Sequence, residues 1–104
     1  MKRITELARV VRSKNCSPFE LTLDIIFERR QDFDAIRARS AISAERIARH
    51  YNIPVEDVRS IIYFDPAKAV KITLRRAVPS GAPGDSDVYG AQQHAPLLSL
   101  DFDI

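Results

Sequence analysis

Cysteine occurs once in this chain of 104 residues, at position 16, so no disulfide can form within it. That fits a reducing compartment, and the cytoplasm is the expected location. Tryptophan is absent. The longest apolar runs are three or four residues, such as Ile61-Ile-Tyr-Phe64. None approaches the roughly 20 residues of a membrane span. The start, Met1-Lys-Arg-Ile-Thr-Glu-Leu7, has no secretory h-region. Glycine is scarce, and all three glycines, Gly81, Gly84 and Gly90, fall within ten residues. Lysine and arginine are missing altogether from residues 77–104.

The body is therefore basic and the tail acidic. Residues 1–76 hold all 16 Lys and Arg against 10 Asp and Glu, a charge of +6, and residues 77–104 hold four acids, a charge of −4. Such a split can signal nucleic acid. Here the bases are interleaved with acids along nearly every element, which favours attraction between tail and body, or docking of the tail on another subunit. Hydrophobic residues make up 45% and charged residues 29%, ordinary values for one soluble globular domain over 1–104.

Thr5 is a suitable cap for a helix over 5–12, with Ile4, Leu7 and Val11 on one side. Phe19, Leu21, Leu23, Ile25 and Phe27 then alternate with Glu20, Thr22, Asp24, Ile26 and Glu28. Strict period two over ten residues predicts a long strand at 18–28 with one buried face. Two short helices follow within 32–51, capped by Asp32 and Ser43, with Ile42 and Ile47 placed as a hydrophobic staple. Asn52 tolerates a left-handed C-cap and Pro54 stops the helix. Residues 58–64 and 69–76 read as a hairpin around the turn Asp65-Pro66-Ala67-Lys68. A loop over 77–96 leads to a last strand at 97–103, where Leu98, Leu100 and Phe102 alternate with polar residues. Without the first helix the order resembles β-α-β-β-α-β, an α+β, ferredoxin-like split βαβ plan with a four-stranded antiparallel sheet. The Gly/Pro loop stands where the second crossover helix belongs. A sheet face left uncovered there implies a homo-oligomer or a hetero-complex.

That loop is also the first candidate site. Asp87, Tyr89 and His94 have the residue types for general acid–base work, with a carboxylate orienting the imidazole. Gly81, Gly84, Asp85, Gly90, Gln92 and Gln93 make it a candidate interface. Asp85, Asp87 and His94 carry metal-binding atoms but no recognised ligand spacing, so no metal site is assigned and no cofactor is named. The plain alternative is a structural loop whose Asp and Ser side chains hold turns. Arg12, Ser13, Lys14 and Asn15 form a second candidate, a basic turn suited to a carboxylate or phosphate. The alternative there is a solvated turn. Residues 43–61 also have the spacing of a helix-turn-helix, but the second helix would lead with Glu56 and Asp57, which repel phosphate.

Glu6-Leu-Ala, Val11-Arg-Ser-Lys-Asn15, Pro18-Phe-Glu-Leu-Thr-Leu-Asp-Ile-Ile-Phe27, Phe64-Asp-Pro66, Pro79-Ser-Gly81 and Asp87-Val-Tyr-Gly-Ala-Gln-Gln-His-Ala-Pro-Leu-Leu98 together resemble a small bacterial family, a domain of unknown function. Members of that family are encoded beside proteins resembling acyclic terpene utilisation protein A. Larger proteins of that type can carry a small ferredoxin-like C-terminal domain with a similar Arg-Ser start and Leu-Leu strand. The resemblance implies a cytoplasmic accessory or small subunit of a catabolic enzyme acting on organic acids or their thioesters. The larger protein would be its partner. It assigns no catalytic residue. The residues alone also leave room for a self-contained enzyme or carboxylate-binding protein using His94 and Arg12, and for a purely structural oligomer.

Overall fold

The computed structural model describes residues 2–17, 19–75 and 95–103. The chain opens with a two-residue strand, β1 (Lys2–Arg3), and one helical turn, α1 (Ile4–Leu7). Strand β2 (Ala8–Ser17) runs antiparallel to β3 (Glu20–Phe27). Helices α2 (Arg30–Ala38) and α3 (Ala44–Tyr51) follow. A 3₁₀ turn at Val55–Asp57 leads into β4 (Val58–Phe64). A second 3₁₀ turn at Asp65–Ala67 leads into β5 (Ala69–Arg75). A third at Ala95–Ser99 precedes β6 (Asp101–Phe102). The architecture is α+β, with a four-stranded antiparallel sheet in the order β2-β3-β5-β4 and a separate ladder between β1 and β6.

The first correction concerns 5–12. The helix there is only Ile4–Leu7, its cap is Arg3 with no side-chain bond, and the chain is already a strand from Ala8. Local spacing of Ile4, Leu7 and Val11 suggested one helix face. All three do pack on the core, but Val11 does so from a strand. β3 has two edges to satisfy, and pairing with β2 supplies one complete ladder. That tertiary gain outweighs a weak helical preference.

The second correction concerns 97–103. This segment is not a member of the four-stranded sheet; the place beside β3 that a ferredoxin-like plan gives to the last strand is held by β2. Leu97 and Leu100 are buried while Leu98 is exposed, the spacing of a 3₁₀ turn rather than a strand. Only Asp101–Phe102 is extended, paired with Lys2–Arg3. The loop predicted over 77–96 lies outside the described residues except for Ala95 and Pro96.

The core sits on one side of the sheet. Leu21, Leu23, Ile25 and Phe27 of β3 and Val70, Ile72 and Leu74 of β5 meet Phe33 and Ile36 of α2, Ile47 of α3, and Ile4, Leu7, Leu97, Leu100 and Phe102 from the two ends. Phe33 packs edge-on against both Phe27 and Tyr63, with ring centres 6.1 and 6.3 Å apart. The Ser43 hydroxyl accepts the Arg46 N–H at 3.2 Å, so Ser43 is the N-cap of α3. Ile42 and Ile47 flank that cap and are both buried. Asn52 closes α3 in the left-handed region, φ 55°. Asp32 is not a cap: α2 begins at Arg30, and the Asp32 carboxylate lies in its first turn, 3.0 Å from Arg29 Nε. The helix-turn-helix over 43–61 fails here as well. The chain has one 3₁₀ turn where the second helix would lie, then a strand whose β-branched and aromatic residues fit the pleated sheet.

Candidate functional site

Because strands alternate, the residues opposite the core form a second sheet face. Val10, Arg12 and Lys14 of β2 stand across from Ile26, Asp24 and Thr22 of β3. These in turn face Ala69, Lys71 and Thr73 of β5, which face Phe64, Ile62 and Ser60 of β4. Among the described residues no helix covers this face. Ile62 is 53% exposed and Phe64 47%.

Asp24 lies in the middle of it. Its neighbours in register are Arg12 on one side and Lys71 on the other. Arg12 Nε donates to Asp24 Oδ2 at 3.1 Å. Arg12 has a side chain 56% exposed, yet Asp24 is only 3% exposed. Its second oxygen, Oδ1, is buried and accepts no hydrogen bond. A buried carboxylate oxygen without a donor is costly, on the order of 1–3 kcal/mol or more.

Of the basic candidates, Arg12, Ser13, Lys14 and Asn15 do not form a turn. They run through β2, so consecutive side chains point to opposite faces. Arg12 and Lys14 share the open face, whereas Ser13 is buried opposite Leu23 and Asn15 stands opposite Leu21. Arg12 is engaged with Asp24 rather than waiting for an anion. Gly81, Gly84, Asp85, Asp87, Tyr89, Gly90, Gln92, Gln93 and His94 lie outside the described residues, so the structure neither gathers them nor separates them. Among the described residues no three His, Cys, Asp or Glu side chains cluster as a metal site. None of the described helices is long and apolar enough to cross a membrane.

Sequence reasoning missed Asp24. The clue was its place in the alternation, the one carboxylate on the middle of a strand that has neighbours on both sides. His50, read as a cap for carbonyls, has its Nε2 2.8 Å from the Ser99 hydroxyl, which ties the end of α3 to the C-terminal segment.

Grooves among the described residues flank α3. One of about 480 Å³ runs along α3 past Ala48, Arg49 and Ile53. Another, about 300 Å³, lies between β4 and the start of α3, lined by Ile42, Ala44, Val58, Ile61 and Tyr63 among others.

The family model for the domain of unknown function DUF4387 matches residues 4–101, and the chain belongs to that family. No curated protein and no solved structure matches it.

Proposed function

We propose that this DUF4387 chain is an accessory or small subunit that binds a larger protein through the open face of its sheet. One observation carries the reading: an apolar pair, Ile62 and Phe64, is about half exposed on a sheet face that no described helix covers. A partner that lays apolar side chains over β4 buries that pair and takes the half-exposed Arg12 of the Asp24 bridge further out of water. Arg12 and Lys71 flank the carboxylate and draw acidic groups of the partner around it.

The chemistry assigned to the complex is the catabolism of organic acids or their thioesters. It rests on the family resemblance, and the partner meant is the larger protein resembling acyclic terpene utilisation protein A. In this reading β3, the two helices, β4 and β5 stand for the βαββ part of a ferredoxin-like plan. Residues 77–96 would serve as a docking or gating loop at the partner's site, and the complex would work in the cytoplasm.

The test is co-expression of the tagged chain with the proteins encoded beside it. A larger protein should co-purify, and its activity should fall when this chain is omitted. Lys71→Glu, on the open face and exposed, should abolish capture while the far-UV circular dichroism stays unchanged. Separate elution with full activity of the larger protein alone refutes the reading.

A further inference from the structure

We propose that the outer edge of β4 is the interface between two copies of this chain, which pair β4 against β4 about a two-fold axis at Ile62. The argument starts from hydrogen-bond phase. Phe27 N–H donates to Lys68 O at 2.8 Å, across the β3–β5 register. Antiparallel ladders alternate bonded and non-bonded pairs. Val70, Ile72 and Leu74 therefore turn their peptide groups to β3, and Ala69, Lys71 and Thr73 turn theirs to β4. Their partners Phe64, Ile62 and Ser60 use the inner edge. The N–H and C=O groups of Ile61 and Tyr63 are left pointing outward, and among the described residues no strand pairs with them.

This edge lacks the usual defences. A solitary edge strand is normally protected by lysine, proline or a bulge at its middle. The irregularity in β4 lies at its start, between Val58 and Ser60, and the stretch from Ser60 to Phe64 carries no charge. Tyr63 braces the strand from behind: its hydroxyl donates to Ile42 O at 2.7 Å. The edge is thus braced, uncharged from Ser60 to Phe64 and, among the described residues, unpaired.

The strand is also complementary to itself. With the axis at Ile62, Ile61 lies opposite Tyr63 of the second copy, and each pair exchanges both N–H···O bonds, the phase that the free groups require. Ser60 lies opposite Phe64. Arg59 lies opposite Asp65, which opens a 3₁₀ turn and already pairs with Arg30 and Arg37 of its own chain, at 3.0 and 3.3 Å, so the ends of the seam add no charge attraction. A shift of the axis by one residue along the strand puts Arg59 against Tyr63 or Ile61 against Asp65, a charged side chain against an apolar one. Isologous contact of this kind closes on itself and stops at a dimer. Two four-stranded sheets then become one. Ile62 meets Ile62 at its centre, and the two open faces merge into a single surface. The interface rests on main-chain groups of the edge and the larger protein on side chains of the face; Ile62 belongs to both, and sedimentation of this chain alone reads the first without the second.

Sedimentation equilibrium at tens of micromolar should give twice the chain mass of 11.8 kDa. Ile62→Lys sets two ammonium groups on the axis and should give the single chain mass with unchanged circular dichroism. In a Cys16→Ser background, Ile62→Cys should oxidise to a covalent dimer within minutes under mild oxidant. Non-bonded antiparallel pairs have Cα atoms about 4.5 Å apart, inside disulfide reach. Phe19→Cys, equally exposed but in the turn before β3, should not. A single-chain mass for the unaltered protein overturns the proposal. So does a dimer that survives Ile62→Lys, or equal cross-linking through position 19.

Discussion

A carboxylate on the sheet face away from the core ordinarily stays in water, and Asp24 is shielded instead, with Arg12 on one oxygen and nothing on the other. Removing the cation should therefore hurt more than removing the pair. Arg12→Ala should lower stability by about 1–2 kcal/mol, less than a fully buried pair because the guanidinium is half in solvent. Arg12→Leu with Asp24→Val should recover most of that loss. Urea midpoints at constant slope check both, and an unchanged midpoint for Arg12→Ala contradicts the account. Two phenols set a pH limit. Burial holds Tyr51 above its usual value of 10.0. Burial also raises Tyr63, opposed in part by its bond to Ile42. A folded-state pKa raised above the unfolded one means that the unfolded chain loses the proton first. The stability is whole below pH 10 and declines above it as the unfolded phenols ionise. Denaturant midpoints at alkaline pH should fall, and Tyr51→Phe should flatten the fall.

Helix α3 shows how far an element can be written locally. Its cap, staple and left-handed stop are each encoded within a few residues. Ser43→Ala should cost about 1 kcal/mol. Asn52→Gly should be within a few tenths, whereas Asn52→Val should cost about 1–2 kcal/mol, since a β-branched residue resists φ of 55°. Thermal unfolding of the three variants ranks them. The strand β3 was legible for the same reason: its alternation is long and strict, and a one-residue slip would turn every apolar side chain outward. Residues 8–14 were not legible. Ala8-Arg-Val-Val-Arg-Ser-Lys14 has no strong period of its own, and its state is set by the open edge of β3.

At the scale of the molecule, residues 95–103, the described end of the acidic tail, lie against the basic body. Arg39 donates to the Asp103 carbonyl, and Arg46 reaches both the carbonyl and the carboxylate of Asp101. Arg46 also lies over the Phe102 ring, 4.6 Å from its centre. Surface pairs of this sort are worth less than about 1 kcal/mol each. Burial of Leu97, Leu100 and Phe102 contributes roughly 2 kcal/mol apiece, so the apolar residues and not the charges hold the segment. Deleting 95–104 should abolish cooperative unfolding and expose dye-binding apolar surface, because the loss approaches the whole stability of a small domain. Asp101→Asn with Asp103→Asn should shift the melting temperature by only a few degrees.

The sequence by itself determined the helices α2 and α3, the strand β3 and the β4–β5 hairpin, because each carries a period, a cap or a turn that acts over a few residues. It set a basic body against an acidic tail, and left open whether that tail meets the body or another subunit. Only the tertiary structure decided that β2 is a strand, that Leu97 and Leu100 pack from a 3₁₀ turn, and that Asp24 is the buried carboxylate of an open face. Those outcomes depend on which groups of distant segments remain unsatisfied once the long strand has formed, and such a deficit is a property of neighbours in space that no local stretch of residues records.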